Sequence, residues 1–398
     1  MKFMKLTIIG LTDTPQPQLN SEEMWAVLRG KVFSGGRRHH ELVERLLPAD
    51  AVWIDITPPL AKVFEQYRQH DEIVVFASGD PLFFGFANTA RRELPQAQIL
   101  TYPAFNSLQL LAHRLVMPYH DMNVVSLTGR PWHEFDRVLI EGKQKIGVLT
   151  DKEHNPAAIA ARMLEFGYSD YKMAVGEHLG HPDKERVREM GLKEARIMTF
   201  SQPNCLILTG RHERRMSIPD HEFMLLDGRE RMITKNIIRT ASLHALELWR
   251  RHDLWDVGFC TGSVSIEARL QFPHVEVQAF EIRPECERII AENSRRFGVP
   301  GINVHMGDFL AADCPALPRP DAVFIGGHGG KLREIMKKVK EYLLPGGVIV
   351  MNSVTAESRK TFEEAAIEYG MELSTAQHIQ LNEYNPIDIL KCELRSSS

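Results

Sequence analysis

The chain has 398 residues, 43% hydrophobic and 25% charged, a length that implies two or three compact units and a composition that excludes collagen-like, low-complexity and disordered classes. Its 48 Lys and Arg against 52 Asp and Glu leave a formal net charge of −4, so no whole-molecule positive field gathers nucleic acid or anionic lipid, and a polyanionic ligand needs local basic pockets. Five cysteines without a Cys-x-x-Cys pair argue against a disulfide framework or a zinc ribbon and for a reducing cytoplasm. The opening MKFMKLTIIGLTDTP carries one apolar run too short for a membrane span and no small-residue cleavage site; it reads as a first strand, with neither export signal nor membrane anchor expected.

Apolar, β-branched runs then recur with helical stretches between them: LTIIGL (6–11), AVWIDI (51–56), EIVVFAS (72–78), NVVSLT (123–128), IGVLT (146–150), KMAVGE (172–177) and CLILTG (205–210). This alternation predicts α/β architecture with mostly parallel, buried strands. A weaker break near Met117-Pro118 divides this half into two lobes. The charged, Pro-containing segment 211–223 has no sustained periodicity and is the expected domain linker. Beyond it an amphipathic helix (234–251) precedes a second α/β series with strands at 254–259, 275–282, 302–308, 322–327 and 346–354. Two last β-like runs near 371–382 and 386–394, parted by Asn385-Pro386, predict an antiparallel hairpin closing an otherwise parallel sheet.

The segment DVGFCTGSVSIEA (256–268) places a Gly-containing turn between a strand and a helix, where small residues let backbone approach a ligand and the helix start presents unpaired N–H groups. Glu281, at the end of the next strand, stands where α/β nucleotide sites place a carboxylate for the ribose hydroxyls. Gly307-Asp308, at the end of the third strand, is placed to meet an adenine amino group. The loop reads Gly258, Phe259, Cys260, Thr261, Gly262, a G-x-G-x-G spacing with its middle glycine replaced rather than the dinucleotide fingerprint, which favours S-adenosylmethionine over NAD. Against this stands an α/β sheet with incidental glycines and a solvated Glu281. Cys260 narrows the space beside the methionine moiety, and reads either as a small buried hydrophobe or as a reactive thiol at a helix start.

The second half resembles the precorrin-6B C15-methyltransferase (decarboxylating) family through RMITKNIIR (231–239), the 256–268 loop, AENSRRFG (291–298), FIGGHGG (324–330) and LLPGGVIVMNSV (343–354). The first half resembles the tetrapyrrole methylases of precorrin-7 C5-methyltransferase type through FSGGRRHHEL (33–42), FASGDPLFFG (76–85), YPAFNSLQLLAHRL (102–115), VSLTGR (125–130), VLTDKEHNPAAIA (148–160) and GEHLGHPDKERV (176–187). Joined in this order, the halves resemble the bifunctional precorrin-6Y C5,15-methyltransferase (decarboxylating) family. The resemblance implies a two-lobed tetrapyrrole methylase domain at 1–210 (lobes about 1–117 and 118–210), the linker 211–223, and a Rossmann-like class I methyltransferase domain at 224–398. The family's usual Gly-rich loop after the first strand is replaced by GLTDTP (10–15), with Asp13 and Thr14 where glycines are expected.

The resemblance further implies S-adenosylmethionine at two sites per chain, a polycarboxylate precorrin or cobalt-precorrin as substrate, and a homo-oligomer in the cytoplasm. In the first half the cofactor would be held by Gly79, Asp80 and Pro81, by Phe83 and Phe84, by Asn106 and Ser107, and by Leu127 and Thr128; Asp80 alternatively only stabilises its turn. In the second half Thr234 would lie beside it. Carboxylate arms call for Arg and Lys at the rim: Arg37 and Arg38, then Arg231 and Lys235, each with a solvated surface charge as its alternative. His328, between glycine pairs, would shuttle a proton during decarboxylation or serve loop shape alone. His39 and His40 are adjacent on a helix and point apart, so no protein-bound metal is expected. Methyl transfer from a sulfonium to carbon needs orientation in a dry pocket more than a strong base.

Two rivals differ in class. A nucleic-acid methyltransferase would need an Asn-Pro-Pro-aromatic segment or a basic groove where this chain has FIGGHGG. A catalytically silent tetrapyrrole-binding scaffold is motivated by the altered loops at 10–15 and 258–262.

Overall fold

A computed structural model describes residues 4–229, 232–381 and 386–395, and these form two compact units. The first takes in the described residues through Arg130, with Gln144–Ala161 and Tyr171–Gly210; the second takes in Pro131–Lys143, Arg162–Asp170 and the described residues from Arg211 onward.

The first unit begins with β1 (Lys5–Leu11), α1 (Ser21–Arg29), β2 (Val32–Gly35), α2 (Arg37–Val43), β3 (Val52–Asp55), α3 (Leu60–Tyr67), β4 (Glu72–Ser78), α4 (Phe86–Glu93) and β5 (Gln98–Tyr102). The five strands are all parallel, in the order β3-β2-β4-β1-β5. The central strands are buried on both faces, so their apolar runs are nearly continuous. Period-2 alternation sorts them into two cores: Leu6, Ile8, Ile73 and Val75 pack with Phe64 and Tyr67, while Ile9, Leu11, Val74 and Phe76 pack with Val27, Phe33 and Val43.

The second lobe of this unit has the sheet order β6-β7-β10-β8-β9. Its strands are β6 (Asn123–Ser126), β7 (Lys145–Leu149), β8 (Lys172–Glu177), β9 (Arg186–Gly191) and β10 (Asn204–Thr209). Only β6 and β7 run parallel; β10 is antiparallel to β7 and β8, and β8 to β9, so this lobe is the mixed part of a half whose strand pairs are otherwise parallel. The helices along this stretch are α5 (Ser107–Arg114), α6 (His133–Ile140), α7 (Pro156–Glu165) and the short α8 (Leu192–Ala195), of which α6 and the end of α7 belong to the second unit. Asn106 caps α5 in a reciprocal box with Gln109, and Leu108, Leu111 and Ala112 pack against Cys205 and Ile207. The helix therefore belongs to the second lobe, and the passage between lobes precedes it, ahead of Met117. The strands without a sequence signal are β2, β5 and β9: one ends in Ser-Gly, and the others are edge strands rich in polar residues.

In the second unit α9 (Asn236–Leu246) precedes β11 (Asp253–Val257), α10 (Ser263–Gln271), β12 (Glu276–Glu281), α11 (Glu285–Phe297), β13 (Ile302–Met306), β14 (Ala322–Ile325), α12 (Leu332–Tyr342), β15 (Val348–Ser353), α13 (Ala356–Glu368), β16 (Glu372–Leu373), β17 (Gln377–Ile379) and β18 (Ile387–Glu393). The strand order β13-β12-β11-β14-β15-β18-β16 is parallel through β15, and β18 runs antiparallel to β15, β16 and β17. The antiparallel closure expected from sequence is present; Asn385 lies outside the described residues. The order reverses at β11, which opens a crevice beyond its carboxyl end, where α/β sheets bind ligands.

Two segments of the first half are built into this second unit. Arg162 grips the buried Asp136 with two hydrogen bonds of 2.7 and 2.6 Å, the Tyr168 hydroxyl donates to the Gly298 carbonyl at 2.6 Å, and Ile140 packs with Ile218 and Phe259. The 211–223 segment is also packed rather than loose, with Ile218 and Phe223 buried and Arg215 paired to Glu222. No helix of the described residues is long and apolar enough to cross a membrane.

Candidate active sites

In the second unit a cavity of about 590 Å³ opens at the carboxyl ends of β11, β14 and β15. Its wall includes Gly258 through Thr261, Thr234, Lys235, Arg283, Gly327 and His328. Gly258 has φ +79°, and a Cβ there would meet the Gly327 nitrogen at 2.6 Å, so two glycines allow the loops after β11 and β14 to touch. Cys260 also adopts a left-handed conformation, φ +52°, where a glycine would carry no steric cost. Its N–H donates to Glu281 Oε2 at 2.9 Å and its thiol to the Met232 carbonyl at 3.2 Å. Burial raises the thiol pKa, which opposes thiolate chemistry. Gly262, φ +74°, is a packing glycine: a Cβ would lie 2.4 Å from Ile290.

Three polar atoms in this wall have no hydrogen-bond partner: Asp256 Oδ1, Thr261 Oγ1 and Asn352 Nδ2. Asp256 is fully buried, with Oδ2 accepting from the backbone and hydroxyl of Ser265 at 3.2 and 2.5 Å. Desolvation pushes its pKa up to about 7 despite those bonds. The Asn352 carbonyl oxygen accepts from Ser242 at 2.9 Å, which orients the side chain and leaves its amide N–H₂ unused. Orphaned buried donors and acceptors cost on the order of 1–3 kcal/mol each, so a wall that collects three is built for a polar ligand. An amino-acid end, cationic at one group and anionic at the other, fits an Asp and an Asn amide.

Glu281 is buried at the end of β12. Its carboxylate accepts the N–H groups of Cys260, Ile282 and Arg283 and pairs with the Arg283 side chain at 3.2 Å, and it lies outside the cavity wall. Gly307 and Asp308 also lie outside that wall; Gly307 donates to the Glu281 carbonyl at 2.8 Å. Asp308 pairs with Lys331 at 2.9 Å, a hydrogen bond that lowers its pKa. Thr234 is fixed through its carbonyl, which accepts from Arg239 at 2.6 Å; that guanidinium is buried and also binds Glu267 and Asp220, at 2.8 Å each. His328 accepts the Gly330 N–H on Nδ1 at 3.2 Å, and burial lowers its pKa, so the neutral ring carries its proton on Nε2. Arg231 lies outside the described residues.

In the first unit a cavity of about 530 Å³ lies between the carboxyl end of β4 and the second lobe. Gly79, Phe83, Phe84, Asn106, Ser107 and Thr128 border it, and so does Arg38. Asp80 and Pro81 do not: Asp80 Oδ1 accepts the Leu82 N–H at 2.8 Å, the turn-stabilising alternative. Leu127 is core, fully buried. Arg37 points away, its side chain 93% exposed and paired with Glu41 at 3.2 Å. Successive residues on a helix diverge by about 100°, so only one arginine of the pair can face the trough. Asp13, in the altered loop, borders the cavity and lies 3.5 Å from the Arg38 guanidinium.

Comparison with known proteins agrees with both halves. Residues 31–196 match the tetrapyrrole (corrin/porphyrin) methylases and residues 226–393 the precorrin methyltransferase domain. A precorrin-6Y C(5,15)-methyltransferase [decarboxylating] of Sinorhizobium sp is 32% identical over 88% of this chain and 85% of its own length. The chain belongs to the precorrin-6Y C(5,15)-methyltransferase family. A cobalt-precorrin-6B C(15)-methyltransferase (decarboxylating) of Salmonella typhi is 35% identical over 41% of this chain and 84% of its own. A solved precorrin-6Y C5,15-methyltransferase chain from Geobacter metallireducens is 30% identical, covering 46% of this chain and all of its own, with TM-score 0.41.

For a precorrin-6Y family member, several cavity residues escape sequence reading. Asp256 heads the glycine loop and had a signal, a carboxylate two residues before Gly258 among the apolar residues Leu254, Trp255 and Val257. Arg283 stands two residues after Glu281 and joins the wall only because the β12 end turns back toward Met232 and Cys260. Asn352, Ser78 and His39 lie inside family motifs, but nothing there marked their roles, because these lie in partners 110, 40 and 39 residues away.

Proposed function

We propose that the two cavities are two S-adenosylmethionine-dependent active sites, the first methylating C5 and the second methylating C15 of a precorrin or cobalt-precorrin with decarboxylation of its ring-C acetate, in cobalamin biosynthesis in the cytoplasm. The observation that carries the second site is the trio of orphaned polar atoms, Asp256 Oδ1, Thr261 Oγ1 and Asn352 Nδ2, gathered beside the glycine loop. S-adenosylmethionine, when bound, supplies an electrophilic methyl group on a sulfonium.

Asp256 receives the cofactor's ammonium; the positive charge then compensates a carboxylate that is otherwise held near neutrality. Thr261 and the backbone of the 258–262 loop hold the same end, and Glu281 keeps Cys260 in register. Lys235 and Arg283 stand in the wall as partners for carboxylate arms. The apolar faces of Ile233, Phe259 and Phe324 exclude water from the reacting carbons. When the acetate loses carbon dioxide, the bond electrons pass into the conjugated macrocycle and the exocyclic carbon takes a proton from solvent; His328, neutral with its N–H on Nε2, stands in the wall as a hydrogen-bond donor that orients the water or the substrate for that transfer. In the first unit Gly79, Asn106, Ser107 and Thr128 surround the cofactor, Phe83 and Phe84 form an apolar wall, and Arg38 meets a substrate arm. Neither site needs a strong base, because the macrocycle supplies its own carbon nucleophile and orientation does most of the work.

Incubation with the precorrin, with and without cobalt, and labelled cofactor, read by mass spectrometry, should show two added methyls and one lost carbon dioxide. Calorimetry with S-adenosylhomocysteine should show two sites per chain. No mass change with either substrate form refutes the assignment, and a single binding site refutes the two-site reading.

A further inference from the structure

Resting on the first-unit reading above, we infer that Ser78 and Arg38 form a clamp for one carboxylate arm of the tetrapyrrole, with Asp13 and His39 as positioning residues that fix its polarity. The Gly36 N–H donates to His39 Nδ1 at 3.2 Å, so Nδ1 must be the unprotonated nitrogen. Burial, reinforced by the adjacent Arg38 charge, lowers the His39 pKa to about 4, which leaves the ring neutral at neutral pH with its single proton on Nε2. Nε2 lies 2.9 Å from Ser78 Oγ and therefore donates to it. Arg38 Nη2 donates to the same oxygen at 2.8 Å.

Both lone pairs of the Ser78 hydroxyl are then filled, so the hydroxyl acts toward anything else only as a donor. Ser78 is exposed, sits at the carboxyl end of β4 and borders the cavity together with Arg38 and His39. On its other side Arg38 is steadied by Asp13 Oδ1 at 3.5 Å, and Asp13 Oδ2 lies 3.8 Å from His178 Nδ1. The groups facing the cavity are thus an O–H donor and, on the Ser78 side, the Nη2 edge of a guanidinium whose Nη1 is turned to Asp13, and the ligand class that satisfies this pair of donors is a carboxylate. This also gives the departure at position 13 a role: the acid that replaces a glycine holds the arginine that faces the trough, while Arg37 pairs outward. His39 acts by setting the direction of a hydrogen bond.

The test uses the full chain and three variants. Ser78→Ala should raise the tetrapyrrole KM for C5 methylation, and its Kd by absorbance titration, about tenfold or more, the loss expected for one hydrogen bond to a charged acceptor. The kcat and the Kd for S-adenosylhomocysteine should not change. Ser78→Thr, which keeps the hydroxyl, should restore the wild-type KM. His39→Leu, which frees a lone pair and lets the hydroxyl turn away, should raise KM in the same direction. An unchanged tetrapyrrole Kd in Ser78→Ala, or failure of Ser78→Thr to restore it, overturns the clamp. A parallel loss of S-adenosylhomocysteine affinity overturns it too, by assigning the clamp to the cofactor's carboxylate. If wild type transfers no methyl to C5, the functional reading fails instead, and the Ser78→Ala titration still decides the clamp.

Discussion

Replacing Asp256 by Asn separates the electrostatics of the second site from its shape. The side chains are isosteric, and an amide keeps an acceptor for Ser265 while removing the buried charge. Burial raises the Asp256 pKa from 3.8 to about 7. Between those values the folded protein therefore binds more protons than the unfolded chain, and stability falls as pH rises. At 1.36 kcal/mol per pKa unit, the wild-type penalty relative to its acid form is about 2 kcal/mol near pH 5 and about 4 kcal/mol near pH 8, absent in Asp256→Asn. Urea unfolding of the ligand-free full chain, following the transition of the second unit, should show the variant gaining on wild type as pH increases. Calorimetry with S-adenosylhomocysteine should show the reverse: the variant binds more weakly, and the pH dependence of wild-type binding around neutrality disappears. Stability curves for the two proteins that stay parallel from acid to alkaline pH would refute the buried-charge argument, and unchanged affinity would refute the ammonium contact.

Other consequences concern the loop and its supports. Gly258→Ala places a methyl 2.6 Å from the Gly327 backbone at φ +79°, and should cost about 3 kcal/mol in urea unfolding and abolish S-adenosylhomocysteine binding to the second unit. Cys260→Gly removes a side chain from a left-handed position, relieving about 1 kcal/mol of strain, and widens the cavity; its S-adenosylhomocysteine Kd should fall, and an unchanged Kd would show that the sulfur does not crowd the cofactor. Arg239→Met leaves Glu267 buried without its partner and should destabilise the second unit by roughly 3–5 kcal/mol. It also releases the Thr234 carbonyl, so cofactor affinity should drop even under conditions where the variant is folded by circular dichroism.

The sequence alone determined the local grammar. Nearly continuous apolar runs in β1, β4 and β14 required strands buried on both faces, and the glycines of 258–262 required a tight strand-to-helix turn, because periodicity and left-handed backbone are properties of neighbouring residues. The joined family motifs made both halves legible as precorrin methyltransferase domains. Only tertiary structure decided which polar groups face a cavity. It turned Glu281 onto three backbone N–H groups, sent Arg37 to solvent and Arg38 to the trough, and placed Asn352 beside Ser242. It also assigned 131–143 and 162–170 to the second unit through the Asp136–Arg162 pair. The physical reason is that hydrogen bonds and ion pairs are short-ranged and directional: a side chain's role is fixed by the partner within about 3 Å, and folding chooses that partner from residues a hundred positions away.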